Sequence, residues 1–326
     1  MRHQHLLAST LLGLGLVAAS ALTSAQSPAV DQYPMRPVRV VVPYPPGGGN
    51  DILARTVVAK AISDLGQNTL VDNRPGGNTI IGTQIVARAA PDGYTLLMVD
   101  NAYTIGPSVQ ISLPYDALKD FVRVTMIAMT SSVLVVHPSV PAKSVKELIA
   151  LAKAQPGRLT HGSTGSGTTA HLAFAQVKLL TGMDAVHVPY KGGAPQIAAL
   201  ISGEVSMLLS VPAALLAQIK AGRMRALAVS GAKRLPRLPE VPTLQESGIP
   251  IVVEAYWGTV APAGTPGGIV NKLQEAIELS LKSAENRTRL DDMQFQAVGS
   301  SPVQFEKFVQ SEVNRWISVV KATGVK

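Results

Sequence analysis

The sequence predicts an α/β protein that folds as two lobes. Short aliphatic and β-branched runs alternate with stretches of helical periodicity, and this alternation is typical of sheets that are covered by helices. The expected strands outnumber those of one compact sheet, and a chain of 326 residues is long enough for two domains. With 46% hydrophobic residues, the chain is not a disordered one.

Strands are indicated by short apolar runs that end in glycine, proline or polar residues. We expect them, in chain order, at residues 38–42, 69–72, 94–99, 122–128, 133–136, 160–162, 186–189, 205–209 and 226–230. Because these runs are joined by predicted helices, we expect parallel strands that are buried on both faces.

Helices are indicated by apolar residues at helical spacing and by start signals. We expect them at residues 51–65, 79–89, from 144 onward, 168–181, 195–202, 213–221, 265–283 and 301–322. Ser144 and Glu147 have the spacing of a capping box. The pairs Thr265-Pro266 and Ser301-Pro302 indicate an N-cap followed by proline at the first helical position.

Composition excludes several classes of function. The chain has no cysteine, which excludes disulfides, thiolate zinc sites and a cysteine nucleophile. Its six histidines lack the spacing of metal ligands, so we expect no metal site. The net charge of +8 is dispersed, with no run of Lys or Arg longer than two, so we expect no nucleic-acid partner.

Residues 1–25 have the layout of a secretory signal peptide. Arg2 precedes the apolar run from Leu6 to Leu22, and small residues follow up to Ala25. A cleavage after Ala21 also fits the small-residue requirement. No later segment reaches 18 uninterrupted apolar residues. We therefore expect export to the periplasm and removal of the signal peptide.

Two Gly-rich turns, residues 44–51 and 163–168, each follow a predicted strand and lead into a helix. At the carboxyl ends of strands, turn amides and a helix N-terminus can bind an anion. Each turn alone could be only a tight turn with a helix cap. We expect the chain to cross between two lobes near residues 129–133 and 248–258. Lobe 1 would then comprise 26–128 and 251–326, and lobe 2 would comprise 129–250. The presence of two Gly-rich turns in two lobes favours a binding cleft between the lobes.

Neither turn matches a nucleotide-binding motif, so we expect no NAD or ATP cofactor. An exported serine hydrolase is the alternative, because Ser163, Ser166 and His171 are close in sequence. The motif G-x-S-x-G is absent, and no third group is indicated that would orient a general base. If the protein is a hydrolase, it should convert its ligand with turnover. If it is a binding protein, it should only bind the ligand stoichiometrically.

Six segments together resemble one family. They are VRVVVPYPPGGGNDILAR (38–55), VDNRPGGNTIIGTQIVARAAPDGYTLL (71–97), HGSTGSGTTAHLA (161–173), VPYKGGAPQIAALISGEV (188–205), VPTLQESGIP (241–250) and WGTVAPAGTP (257–266). The family is that of the Bug-type receptors, the periplasmic substrate-binding proteins associated with tripartite tricarboxylate transporters. The resemblance covers essentially the whole mature chain, in the family's order and spacing.

The resemblance implies a two-lobed, type II-like periplasmic binding protein of the Venus-flytrap kind. Such a receptor closes on a small carboxylate and delivers it to membrane transporter subunits, without catalysis or a cofactor. We expect a monomer. The resemblance places one carboxylate at the two Gly-rich loops, on Gly47, Gly48, Gly49, Asn50, Asp51, Ser163, Thr164, Gly165, Ser166 and Thr168.

The remainder of the ligand is expected near a second set of residues. These are Tyr44, Asn78, Asn101, His171, Tyr190, Ser210 and Tyr256. Ser210-Val211-Pro212 stands where many relatives have an Asp-Asn pair, and the turn 76–79 is less Gly-rich than usual. Both departures fall at the distal end of the solute, and they favour a less polar body such as an aromatic ring.

Overall fold

The computed structural model describes residues 30–109 and 112–325, so the predicted signal peptide lies outside the described residues. The strands are β1 (Val38–Val42), β2 (Thr69–Asn73), β3 (Thr95–Asp100), β4 (Phe121–Ser131), β5 (Val133–Val136), β6 (Thr160–Ser163), β7 (Val186–Pro189), β8 (Met207–Ser210), β9 (Arg225–Val229), β10 (Glu254–Pro262) and β11 (Gln296–Ala297). The α-helices are α1 (Gly49–Leu53), α2 (Ala59–Asp64), α3 (Ile80–Ala87), α4 (Asn101–Val109), α5 (Val145–Ala154), α6 (Thr169–Thr181), α7 (Gly193–Ile201), α8 (Leu216–Lys220), α9 (Gly267–Leu281), α10 (Ala284–Asp292) and α11 (Pro302–Thr323). A π-helical segment, Ala54–Val58, joins α1 to α2.

The strands form two separate sheets. One has the order β11-β4-β10-β3-β1-β2, and the other has the order β7-β6-β8-β5-β9. The chain passes from the first sheet to the second at Ser132, the single residue between β4 and β5, and it returns between β9 and β10. The predicted α/β fold with two units is confirmed by this arrangement.

Strand direction differs from the sequence-based expectation. The strands β1, β2 and β3 are parallel, and so are β6, β7 and β8. The strands that follow each crossing, β5 and β10, run antiparallel to both of their neighbours. The expected parallel strands are therefore only part of two mixed sheets, because a strand that enters a sheet from the other one need not follow a helical crossover.

Helices cover both faces of each sheet. Along β1, Val40 packs with α2 and α9, while Val41 packs on the opposite face with Phe305 of α11. This alternation follows from the two-residue repeat of a strand. In the second sheet, Leu134 of β5 faces α5 and α6, and Val135 faces α7.

The C-terminal helix α11 packs on both units. Phe305 and Val309 lie in the core of the first sheet, whereas Trp316 and Val319, further along the helix, lie in a core cluster of the second. Trp316 is fully buried, and its indole N–H donates a hydrogen bond of 3.0 Å to Glu312. The two units are therefore connected by a helix as well as by the strand crossings.

Helix starts largely follow the expected caps. Ser301 caps α11 in a capping box with Gln304, and Pro302 occupies the first turn, as predicted. Ser144 caps α5 through the amide of Glu147, but the Glu147 carboxylate binds the amide of Lys143 rather than that of Ser144. The helix predicted at Thr265-Pro266 begins two residues after Thr265, at Gly267.

Candidate ligand-binding cleft

A cavity of about 770 Å³ lies where the chain crosses between the two sheets. Ser132 of the first crossing and Tyr256 of the returning strand both line it. Residues that follow the carboxyl ends of β1, β3, β6 and β8 complete its walls. Ligands bind at such strand ends in α/β sheets, and the volume is within the usual range for small-molecule sites.

The loop after β1 contributes one wall of the cleft. Gly47, in the left-handed region at φ +93°, donates its amide to Asp51 at 3.0 Å. Asp51 is buried, which alone would raise the pKa of its carboxyl, but hydrogen bonds from Arg55 and Gly47 lower that pKa below the usual value. Asp51 thus holds the shape of the loop and does not line the cavity.

Gly49 makes a close approach to the cleft wall. A Cβ at this position would lie 2.9 Å from two atoms of the Trp257 indole, whereas a Cβ at Gly48 would meet nothing within 4 Å. Trp257 is itself stacked on Phe295, with ring centroids 4.2 Å apart. Only glycine therefore fits position 49 without displacement of the indole.

Asp100, the last residue of β3, is the centre of a hydrogen-bond network beside this loop. Its carboxylate accepts hydrogen bonds from Tyr44 Oη at 2.9 Å, Asn50 Nδ2 at 2.8 Å and the amide of Ala102 at 2.9 Å. Burial raises the pKa of the Asp100 carboxyl, although these three bonds act in the opposite direction. The pKa of Tyr44 is likewise raised by burial and by the neighbouring Asp100.

The loop after β6 forms the facing wall. The Ser163 hydroxyl donates to the carbonyl of Gly165 at 2.9 Å, and the Thr168 hydroxyl donates to the same carbonyl at 2.7 Å. The amide of Gly167 donates to Nδ1 of His171 at 3.1 Å. Thr168 is the N-cap of α6, but its side chain accepts no amide of the helix.

Three histidines stack behind this loop. The rings of His171 and His187 are 3.8 Å apart at 8°, and His161 lies 4.9 Å from His187. A hydrogen bond of 2.7 Å joins His187 Nε2 to Ser163 Oγ. Burial, followed by the repulsion of neighbouring groups, lowers the pKa of His161 to about 3 and that of His187 to about 4. The rings are therefore neutral at physiological pH.

Helix α7 presents a further N-terminus to the cleft. Gly192 and Gly193 line the cavity, and α7 begins there without a side-chain cap. One turn on, Gln196 is fully buried and donates to Ser210 at 3.3 Å across the same wall. The amides of Gly193 and Ala194 in this first turn have no partner within the helix, and both residues line the cavity.

Ten of the predicted site residues line the cavity. They are Tyr44, Gly47, Gly48, Gly49, Asn78, Asn101, Thr164, Thr168, Ser210 and Tyr256. Asn101 binds the backbone of the returning strand, with its side-chain oxygen accepting the amide of Tyr256 at 3.1 Å and its nitrogen donating to the carbonyl of Glu254 at 3.0 Å. Asn101 therefore fixes strand β10 against the end of β3.

The other predicted residues lie next to the cavity without lining it. They are Asn50, Asp51, Ser163, Gly165, Ser166, His171 and Tyr190. Ser163 is fully buried, and the Tyr190 hydroxyl donates to Glu204 at 2.7 Å. Ser163 and Tyr190 thus have partners in the protein, and they shape or flank the cleft wall.

Sequence reasoning missed several lining residues. Asp100, Gly192, Gly193, Gln196 and Trp257 all face the cavity. Asp100 directly follows a predicted strand and the glycine pair precedes a predicted helix, so both could have been found by the rule that located the other loops. Gln196 has no such signal, because its position depends on how α7 packs on β8.

The geometry offers little support for the hydrolase alternative. The buried Ser163 hydroxyl contacts His187 rather than His171, and Ser166 lies exposed on the loop. Among residues 30–109 and 112–325, no carboxylate is hydrogen-bonded to His187.

Within residues 30–109 and 112–325, no cluster of ligating side chains could hold a metal ion. No described helix is long and apolar enough to cross a membrane.

A second cavity, of about 540 Å³, lies at the start of α5 on the outer side of the second sheet. Lys143, Lys146 and Arg225 line it. Arg225 already donates to the backbone carbonyls of Val140 and Ala142. None of its lining residues belongs to either Gly-rich loop, so the cleft between the sheets is the stronger candidate for the binding site.

Two α/β units around a cleft of this size define a solute-binding protein of the two-lobed periplasmic type. Solved structures agree with this class. Rpa4515 of R. palustris, solved with adipate, is 34% identical with a TM-score of 0.81, over 90% of this chain and 99% of that one. MatC (Rpa3494) from Rhodopseudomonas palustris, solved with bound malate, is 30% identical with a TM-score of 0.78, over 88% and 100% of the two chains.

The family follows from the sequence comparisons. The family described as "Tripartite tricarboxylate transporter family receptor" matches residues 53–325. Protein BugT of Bordetella pertussis is 37% identical over 322 residues, which cover 96% of this chain and 97% of BugT. The chain belongs to the tripartite tricarboxylate transporter family of receptors, and the resemblance drawn from six segments is confirmed.

Proposed function

We propose that the protein captures a small organic carboxylate in the cleft and presents it to the membrane subunits of a tripartite tricarboxylate transporter. The observation that carries this proposal is the convergence of helix N-termini. In the described part of the chain, α6 and α7 both begin at the cavity and neither has a side-chain cap. Their free amides and partial positive charges favour an anion.

The carboxylate would be held mainly by the second unit. Thr169 and Ala170 of α6, with Gly193 and Ala194 of α7, are first-turn residues that line the cavity, and their amides would bind the carboxylate. The loop before α1 faces them from the first unit. Among the described residues, no Lys, Arg or His lines the cavity, so backbone donors would supply the attraction. The seventeen residues named from the sequence, together with these amides, constitute the proposed site.

The body of the ligand would rest on apolar surface. Ile52, Trp257 and Phe295 line the cavity from the first unit, and Ile197 and Val211 line it from the second. Stacking and burial on such walls stabilise a flat apolar group. These contacts favour a carboxylate with a less polar body, including an aromatic one.

Closure would use the two strand crossings as hinges. The amide of Ser132 donates to the hydroxyl of Ser230, and the amide of Val253 donates to the carbonyl of Ser230 at 2.8 Å. The moving units would be the proposed lobes, 26–128 with 251–326 and 129–250. A receptor of this kind closes around its ligand without changing it.

We propose that the protein is a monomer and that it acts in the periplasm after removal of the signal peptide. We also propose that it is not an enzyme.

The test is a thermal-shift screen of the mature protein with aliphatic and aromatic carboxylates. A ligand that binds only the folded state stabilises it by about 2.7 kcal/mol at one hundred times its dissociation constant. The blocking variant is Thr164→Trp, because Thr164 is exposed at the cavity wall. The matched control is Ser166→Trp, because Ser166 is exposed on the same loop and does not line the cavity.

We expect at least one carboxylate to raise the melting temperature of the wild type and of Ser166→Trp by several degrees. Thr164→Trp should lose that shift, with an unchanged melting temperature in the absence of ligand. The ligand should be recovered unchanged, whereas a hydrolase would convert it. The absence of any shift, together with no small molecule released on denaturation, would overturn the proposed function.

A further inference from the structure

The cleft has two walls of opposite electrical character. The second unit contributes the N-termini of α6 and α7, two helices of 13 and nine residues. The first unit contributes Asp100, and among the described residues this is the one charged side chain that lines the cavity. A carboxylate is an unexpected neighbour for an anionic ligand, because like charges in a partly desolvated site repel.

Asp100 has hydrogen bonds but no cationic partner. No ion pair in the described part of the chain includes Asp100. Tyr44 and Ala102 both bind Oδ1, and Asn50 alone binds Oδ2. A carboxylate oxygen can accept two hydrogen bonds, so Oδ2 retains one acceptor position. Asp100 is half-buried, and a carboxylate withdrawn from water is normally paired with a cation or fully hydrogen-bonded.

The dipole of α4 does not remove the need for a partner. Asp100 precedes α4 and accepts the amide of Ala102, so this helix N-terminus stabilises the negative charge in part. The raised pKa of the Asp100 carboxyl nevertheless indicates that burial outweighs the three hydrogen bonds. A cationic group in the cleft would supply the missing compensation.

Asn50, which donates to Asp100 Oδ2, has a side-chain oxygen that no donor in the described part of the chain reaches. Its side chain is 4% exposed, and Oδ1 has no hydrogen-bond partner among the described residues. The amide orientation is fixed, because a rotation that exchanged Oδ1 and Nδ2 would place an oxygen against the Asp100 carboxylate. Asn50 does not line the cavity, so Asp100 Oδ2 is the acceptor that this wall offers to a ligand.

We propose that the ligand is an amino carboxylate, with its carboxylate at the N-termini of α6 and α7 and a protonated nitrogen at Asp100. This inference rests on the proposed function and specifies its ligand. An ammonium group has three donors and no acceptor, and its positive charge matches the unpaired carboxylate of Asp100 at the cavity wall. A second carboxylate at the same place would face Asp100 directly and would be disfavoured.

The test uses compounds that differ only at the distal group. One series is 4-methylbenzoate, 4-(aminomethyl)benzoate and terephthalate, and the other is pentanoate, 5-aminopentanoate and glutarate. Affinities are measured by calorimetry for the wild type and for Asp100→Asn, which keeps the shape of the side chain and removes its charge. Asp100→Ser, which retains the ability to cap α4, is the second variant in case Asp100→Asn does not fold.

We expect the wild type to bind the amino compound of at least one series about tenfold more tightly than its neutral analogue, and the dicarboxylate more weakly than either. The uncharged variant should lose the preference for nitrogen and should gain affinity for the dicarboxylate. Equal or tighter wild-type binding of glutarate or terephthalate would overturn this inference and leave the proposed function intact. Failure of every compound to bind, with no released ligand, would overturn both.

Discussion

Replacement of Gly49 by alanine tests how tightly the first loop packs on the cleft wall. The new methyl group would lie 2.9 Å from Cε2 and Nε1 of the Trp257 indole. The indole has little room to move, because Phe295 is stacked on it. An added methyl group in a well-packed site costs about 1–3 kcal/mol. For a chain of this size, that corresponds to a fall in melting temperature of about 2–5 °C.

Gly48→Ala is the matched control. A Cβ at Gly48 meets nothing within 4 Å, and its φ of −82° suits any residue. We expect Gly48→Ala to lower the free energy of unfolding by at most about 1 kcal/mol, because Gly48 is the N-cap of α1, where alanine is less favourable than glycine. Both variants are compared by thermal melting followed by circular dichroism. Equal melting temperatures for Gly48→Ala and Gly49→Ala would refute the packing of the loop on Trp257.

Two further predictions concern stability. Because the pKa values of His161 and His187 are lowered from 6.5 to about 3 and about 4, the unfolded chain binds more protons than the folded one below pH 6.5. The contribution of these neutral histidines to the free energy of unfolding is complete above pH 6.5 and is lost as the pH falls toward 4. The urea midpoint of His161→Phe should therefore fall less on acidification than that of the wild type. Equal falls would contradict the buried histidine stack. Ser301→Ala removes the hydroxyl that accepts the amide of Gln304, so it should lower the free energy of unfolding by about 1 kcal/mol. If urea denaturation gave a change in this free energy below a few tenths of a kcal/mol, the capping box would not contribute to stability.

Local signals in the sequence predicted much of the fold. Ser301 and Pro302 define the start of α11 by chemistry that needs no tertiary contact. Helix α4 was missed because its nine residues include Pro107 and polar residues, and because its start depends on the Asp100 cap. The direction of β5 was predicted wrongly, because an apolar run packs equally well in either direction, and β10 was not predicted as a strand.

The parts of the candidate site that depend on local sequence features were predicted, and the parts that depend on long-range contacts were not. The Gly-rich loops were located by their place after predicted strands, since strand ends and turn residues are local features. The inward position of Ser163 could not be predicted, because it depends on His187 of a neighbouring strand. The approach of Gly49 to Trp257 likewise joins residues from opposite ends of the first unit.

The most direct test of the proposed site is the crystal structure of the protein with a carboxylate that stabilises it. The account predicts that the ligand lies between the two sheets, with a carboxylate oxygen within hydrogen-bond distance of the amides of Thr169 and Ala170. A ligand in the cavity at the start of α5, or one whose carboxylate makes no contact with the first turns of α6 and α7, would contradict it.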